Sequence, residues 1–495
     1  MSRKRSAVIW NAVRCNSAVL CNDAVLCNDP VLCNIGAVMT LDVVILAAGQ
    51  GTRMRSARPK VLHELAGRPL INHVIATASG LEDARLHVVI GHGGEQVREA
   101  LADAEVNFVV QAEQRGTGHA VAQALEGLGD GKVLVLYADV PLIRRDTLAA
   151  LLERVGEQCM GLLTVELNEP AGYGRIKRDA GGEAVAIVEH KDASAEERAI
   201  GECNTGIMAM TAAHLRRWLP QLSADNAQGE YYLTDVIAMA AAEGTAIATT
   251  QPGSPGEVEG INDRVQLARL ERVYQAGEAE RLMREGVALA DPARLDVRGE
   301  LLCARDVVID VGCVFAGRVE IAGDVRVGPY CVIRDSRIGP GSVIEAHSVI
   351  DGAVIDGDSQ IGPFARLRPG TQLARGAKVG NFVETKNATL GEGAKINHLS
   401  YVGDARLGRG VNVGAGTITC NYDGANKHRT EIGDHAFIGS NTALVAPVSV
   451  GEGATVGAGS TISKDVEAGA LALARGRQIS KSDWVRPQKS PKRDH

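Results

Sequence analysis

A chain of 495 residues with 45% apolar content can bury more than one core, so two or three domains are expected. The net charge of −7 argues against a nucleic-acid or acidic-membrane binder, and no 18-residue apolar run exists to span a bilayer. Aromatics make up 3% of the chain while glycine reaches 57 residues, a balance that favours tight turns over aromatic-filled cores and suggests repetition.

Residues 1–38 begin with a basic cluster, as a signal peptide does, but Asn11, Arg14 and Asn16 interrupt any apolar stretch and no cleavage pattern follows. Four of the ten cysteines, Cys15, Cys21, Cys27 and Cys33, fall in a near-repeat there, and the other six are scattered without C-x-x-C spacing. Neither a zinc site nor a disulfide framework is visible, which points to a reducing, cytoplasmic compartment. Met39 directly precedes the first convincing strand, so residues 1–38 read as a disordered or dispensable extension.

Residues 39–262 alternate short apolar runs (Val43 to Leu46, Leu86 to Ile90, Val106 to Val110, Val133 to Tyr137) with helical segments, the pattern of a mainly parallel α/β sheet with ligands at the strand C-terminal ends. After the first run comes "LAAGQGTRMRSARPKVLHELAGRPL", with three glycines among five cationic side chains. Met54 stands where a third glycine of G-x-G-x-x-G would be, and the Gly-Lys-Ser/Thr of a P-loop is missing. Gly49 and Gly51 can still expose backbone N–H groups after a strand, and Arg53 and Lys60 can neutralise nucleotide phosphates. Asp139, at the end of "VLVLY", can hold a divalent ion against those phosphates, with Asn262 as a second oxygen ligand.

Residues 263–285 place Leu267, Leu270, Val273, Tyr274 and Leu282 at helical spacing before Gly286, which predicts a linker helix of roughly 30 Å. Residues 286–495 form the second domain and its tail, and from about residue 305 the period becomes six. Ile432, Ile438, Leu444, Val450, Val456 and Ile462 step by six without a slip, as do Ile361, Leu367, Leu373 and Val379. This is the pattern of a parallel β-helix, here of about nine coils and some 45 Å. The period breaks between Thr419 and Ile432, where an inserted loop can serve a site.

The hexapeptide run resembles the left-handed hexapeptide acyltransferases, and the left hand comes from that resemblance, since the general crossover rule predicts the opposite. Leu46 to Met54 with Pro59-Lys60 resembles the Rossmann-like sugar-phosphate nucleotidyltransferases. Together with "QAEQRGTGHA", "LYADVPL", "GYGRI", "VEHKD", "CNTGI", "QGEYYLTD" and "EVEGIN", the chain from residue 40 nearly to its end resembles the bacterial family of bifunctional N-acetylglucosamine-1-phosphate uridyltransferase/glucosamine-1-phosphate acetyltransferases.

That resemblance implies two sites. For UTP and the nucleotide sugar it implies Leu46, Ala47, Ala48, Gly49, Lys60, Tyr137, Ala138, Asp139 and Asn262, with Gln111, Gly116 and Thr117 reading the uracil and Gly174, Glu189 and Asn204 contacting the sugar. Arg53 and Lys60 would act in catalysis, and Asp139 and Asn262 would ligate Mg2+. Ala138 departs from the family's usual glycine and is expected to add a methyl beside the nucleotide. In the second domain it implies Arg368, Lys386, Tyr401 and Asn412 for glucosamine-1-phosphate. For acetyl-CoA it implies Ala415, Asn421, Tyr422, Ser440, Ala458 and Arg475, with His398 as general base and the Ala415 N–H meeting the oxyanion. It further implies a homotrimer of side-by-side prisms, with no nucleic-acid or membrane partner. A nucleotidyltransferase whose β-helix serves assembly alone would need no base in the rod, yet His398 is there; a non-catalytic relative should have lost Lys60, Asp139 or Asn262, and all three stand.

Overall fold

The computed structural model describes residues 40–488; the extension read from residues 1–38 lies outside them. Nine strands form the first sheet: β1 (Leu41–Leu46), β2 (Ala84–Ile90), β3 (Asn107–Val110), β4 (Lys132–Tyr137), β5 (Cys159–Glu166), β6 (Arg175–Arg178), β7 (Ala184–Val188), β8 (Glu202–Thr211) and β9 (Ala246–Thr250). The main path runs β9–β5–β8–β4–β1–β2–β3, and the β6–β7 hairpin hangs on β8. Strands β1, β2, β3 and β4 are parallel to one another, whereas β8 runs antiparallel to both β4 and β5. Val43, Val44 and Ile45 are wholly buried because helices cover both faces, which is why the strand reads as an unbroken apolar run. The chain leaves β1 toward β2 on one side and returns to β4 on the other. Such a reversal opens a crevice at the strand C-terminal ends, here bounded by residues 46–60 and 137–139.

The helix Arg264–Arg284 starts on Asp263, whose carboxylate accepts the Val265 and Gln266 N–H groups at 2.9 Å each. It stops at Gly286, whose φ of +101° suits glycine. The Glu271 carboxylate accepts the Ala66 N–H (2.7 Å), and the Gln275 amide pairs with both backbone groups of Val297 (2.8 Å each). One helix thus hydrogen-bonds to the sheet domain and to the start of the rod.

From Ala288 onward the chain winds as a parallel β-helix, with every strand paired in parallel to its neighbours in the coils above and below. All ten residues picked out by the six-residue period lie in one core that runs the length of the rod. One sheet of the rod has eleven strands, Ala288–Leu289 to Leu471–Ala472, so ten spacings of about 4.8 Å give roughly 48 Å rather than nine coils. The first coils keep the same beat, with Ile309, Phe315, Ile321, Val327 and Ile333 six apart in the one core, and it first slips to five between Ile333 and Ile338.

Candidate functional sites

The loop after β1 is shaped by Gly51, at φ +61°, where a Cβ would sit 2.5 Å from the Lys60 Cβ. Only glycine lets the two arms of the loop close so tightly, and that closure aims Lys60 inward. Met54 is buried and anchors the turn Thr52–Met54. The Lys60 ammonium bonds the Asp139 carboxylate and lies 3.2 Å from Asn262 Oδ1, while Arg53 Nη2 donates to the same Oδ1 at 2.9 Å. Arg53, Lys60, Asp139 and Asn262 therefore form one cluster, assembled from three chain segments.

Beside it opens a cavity of about 530 Å³. Leu46, Ala47, Ala48, Gly49, Lys60, Gln111, Gly116, Thr117, Tyr137 and Asp139 line it, all expected from sequence, and so do Gln114 and Glu230, which were not. Gly49 has nothing within 4 Å of where a Cβ would be, so the loop presents bare backbone. Gln111 is buried, its amide nitrogen 3.2 Å from the Gly116 carbonyl and 3.1 Å from His119 Nδ1, which leaves the amide oxygen to the cavity. Gly116, at φ +109°, lies against Tyr231, whose carbonyl would be 2.6 Å from a Cβ. Burial pushes the Tyr137 phenol well above its ordinary value, and Glu189 and Asp139 add to the effect.

Ala138 does not present its side chain to the cavity. It is wholly buried and packs in the core with Leu136 and Val140, inside the tight turn that follows β4, where the Val140 N–H donates to the Tyr137 carbonyl (3.1 Å). Its methyl does not line the cavity, although its N–H bonds the Leu46 carbonyl (3.0 Å) and ties the two strand ends together. Gly174, Glu189 and Asn204 do not line the cavity either; they meet beside it. The Asn204 N–H donates to the Gly174 carbonyl (2.9 Å), and a Cβ on Gly174 would sit 3.5 Å from the Glu189 carboxylate. Burial raises the Glu189 pKa, partly offset by the Thr234 hydroxyl at 3.2 Å.

On the rod, register does the assembling. Asn381 pairs with His398, and Ile396 pairs with Val413, Val413 with Ile438, and Ile438 with Val456. Two residues beyond each of the last four stand His398, Ala415, Ser440 and Ala458, one per coil along a single corner. Arg475 Nη1 closes the row on the Ala458 carbonyl at 3.0 Å. The side chains at Ala415, Ser440 and Ala458 are small, so this corner stays low from coil to coil, with an imidazole at one end. The Ala415 N–H meets no protein acceptor among the described residues.

Residues 421–429 leave the coil as a loop closed by the Tyr422–Lys427 bridge, confirming the break in period. The buried Asn421 amide bonds the Asp404 carboxylate. The Lys386 pKa is lowered, first by Lys427 and then by Arg368, so three cationic groups face one another where an anion would be bound. Lys427 was missed in the sequence, although it sits inside the very loop that breaks the period. Tyr401 lies one coil from Glu384, which accepts from Arg368 Nη1 at 2.9 Å, and Asn412 pairs with Lys395.

Residues 43–289 match the family model described as the MobA-like NTP transferase domain, and residues 429–464 match that of the bacterial transferase hexapeptide, six repeats. Over 452 residues the chain is 70% identical to the bifunctional protein GlmU of Chromohalobacter salexigens, covering 91% of this chain and 100% of that protein. The bifunctional protein GlmU of Stutzerimonas stutzeri is 61% identical over 451 residues, covering 91% and 100%. That of Marinobacter nauticus is 60% identical over 451 residues, covering 91% and 99%.

Proposed function

The chain belongs to the family of the bifunctional GlmU proteins, and from that premise we propose how its two clusters divide the work. It is a bifunctional transferase that makes UDP-N-acetylglucosamine, the activated sugar of cell-wall synthesis. One activity acetylates glucosamine-1-phosphate from acetyl-CoA, and the other transfers uridylate from UTP to N-acetylglucosamine-1-phosphate with release of pyrophosphate.

Uridyl transfer is assigned to residues 39–262. A sugar-phosphate oxygen attacks the α-phosphorus of UTP in line with departing pyrophosphate, a step that needs positioning and charge neutralisation and no protein nucleophile. The observation that carries this assignment is the convergence of Arg53, Lys60, Asp139 and Asn262 at the cavity's edge. Bare backbone at Gly49 receives phosphates, Gln111 reads the base, and Gly174, Glu189 and Asn204 receive the sugar.

A divalent metal belongs to this chemistry, and Mg2+ is the ion we assign. Asp139 and Asn262 fit it: both oxygens already converge on one cationic group, the Lys60 ammonium, and hard oxygen donors suit Mg2+. Asp139 and Asn262 would hold the ion, which would supply charge neutralisation of the departing pyrophosphate. Lys60 moves from the carboxylate to the phosphates as they bind.

Acetyl transfer is assigned to residues 286–495. Arg368, Lys386 and Lys427, with Tyr401 and Asn412, hold the sugar phosphate. Ala415, Asn421, Tyr422, Ser440, Ala458 and Arg475 hold acetyl-CoA, the small residues keeping that corner low, and His398 removes the proton of the attacking amine. A homotrimer is supported by a ladder of rings on one corner: Tyr330, His347, Phe364 and Phe382 stack at 5.3, 4.9 and 5.3 Å on successive coils. Tyr330, Phe364 and Phe382 are about half exposed, an apolar strip that parallel prisms would cover. No helix among the described residues is long and apolar enough to cross a membrane, and substrates such as UTP and acetyl-CoA favour the cytoplasm. Supplying N-acetylglucosamine-1-phosphate, UTP and Mg2+ tests the first assignment; absence of a nucleotide sugar refutes it.

A further inference from the structure

We propose that Asn381 is the positioning residue of the acetyl-transfer site, its side-chain oxygen holding the proton on His398 Nδ1 so that the lone pair of Nε2 is the one offered to the amine. The inference rests on the assignment of His398 as base. Asn381 ends the strand Lys378–Asn381 and His398 ends Lys395–His398; the two residues are register partners in adjacent coils, and Asn381 Oδ1 lies 2.7 Å from His398 Nδ1.

Both partners are fixed from behind. The Leu399 N–H donates to the Asn381 carbonyl (3.1 Å) and the Ser400 hydroxyl to the His398 carbonyl (2.8 Å). Gly380 permits the close approach: a Cβ there would strike the Asn397 carbonyl at 2.0 Å. Among the described residues, no carboxylate lies within ion-pair distance of the His398 ring. The imidazole therefore has a neutral partner, unlike the carboxylate-oriented histidine of a hydrolase triad.

An amide oxygen can only accept, so the proton must sit on Nδ1, and a neutral imidazole then has its lone pair on Nε2. In the reaction the amine nitrogen bonds to the thioester carbonyl carbon and its proton passes to Nε2. As the tetrahedral intermediate collapses, the C–S bond breaks and that proton goes to the departing thiolate, leaving the amide, free CoA thiol and neutral His398. The wrong tautomer would present an N–H to an amine that has a proton to lose.

The test uses Asn381→Leu and Asn381→Asp in the full chain, with acetyl transfer followed as a function of pH. Asn381→Leu removes the acceptor, and kcat should fall about 10- to 100-fold with little change in KM for glucosamine-1-phosphate. Asn381→Asp keeps an acceptor and adds a negative charge, which favours the imidazolium; the acid limb of the kcat profile should move up by about one pH unit while much of the rate above it is retained. An unmoved acid limb in Asn381→Asp, wild-type kcat in Asn381→Leu, or equal loss in both variants at every pH overturns the proposal. His398→Ala is assayed alongside. If it acetylates normally, the base assignment itself has failed; if it is inactive while Asn381→Leu is not, only the positioning role has.

Discussion

The Asp139 carbonyl accepts the Ile261 N–H at 2.9 Å, which sets the Asp139 carboxylate next to the Asn262 amide although the two lie far apart in the chain. The Lys60 ammonium spans both side chains, and this cluster belongs to the sheet domain alone.

Asp139→Ala should therefore lower uridyl transfer by about 10³-fold or more, because the proposed metal site loses its one carboxylate. Acetyl transfer by the same preparation should stay within about twofold of wild type. Parallel assays of the two half-reactions check it, and joint loss in a folded variant would mean that the sites are not separate.

Lys427 offers a second check, on the rod. Its charge depresses the Lys386 pKa, so removing it in Lys427→Ala should let that pKa rise toward the ordinary lysine value. The KM for glucosamine-1-phosphate should increase about tenfold, the size of one lost phosphate contact, with kcat less affected. Initial-rate measurements across pH and salt separate the two effects. A KM that does not change places Lys427 outside the phosphate site.

The six-residue period announced the rod and its core because each inward residue meets the same environment once per face, so Ile432 through Ile462 could be named one by one. The loop after β1 was legible because a turn of glycine backbone among cations has few other uses. What stayed hidden depended on relations between coils. Asn381 and His398 stand 17 residues apart and touch only because one coil separates them. Lys427 becomes significant only when its loop folds back on Lys386. The side-chain direction of Ala138 required knowing that the strand stops at Tyr137 and turns there.

A third prediction concerns acid stability. Asp42 is fully buried at the start of β1, where burial would raise its pKa. Bonds from His87 (2.9 Å), Arg85 (2.8 Å) and the Gly129 N–H (2.8 Å) outweigh that effect and hold it below the usual carboxylate range. A depressed folded-state pKa contributes stability above the unfolded value, about 4, and the contribution is lost as pH falls through the folded value. Asp42→Asn should destabilise the sheet domain by about 3 kcal/mol between pH 5 and 8, with the gap from wild type closing below about pH 4. Denaturant titrations at several pH values measure it; a gap that widens in acid would reverse the sign.

The central claim is that one chain performs two transfers in sequence at two sites. The most direct measurement supplies glucosamine-1-phosphate, acetyl-CoA, UTP and Mg2+ together and identifies the nucleotide product by mass. The account predicts UDP-N-acetylglucosamine, with N-acetylglucosamine-1-phosphate accumulating when UTP is left out. Formation of a non-acetylated UDP-sugar alone, or of no nucleotide sugar from either sugar phosphate, would contradict it.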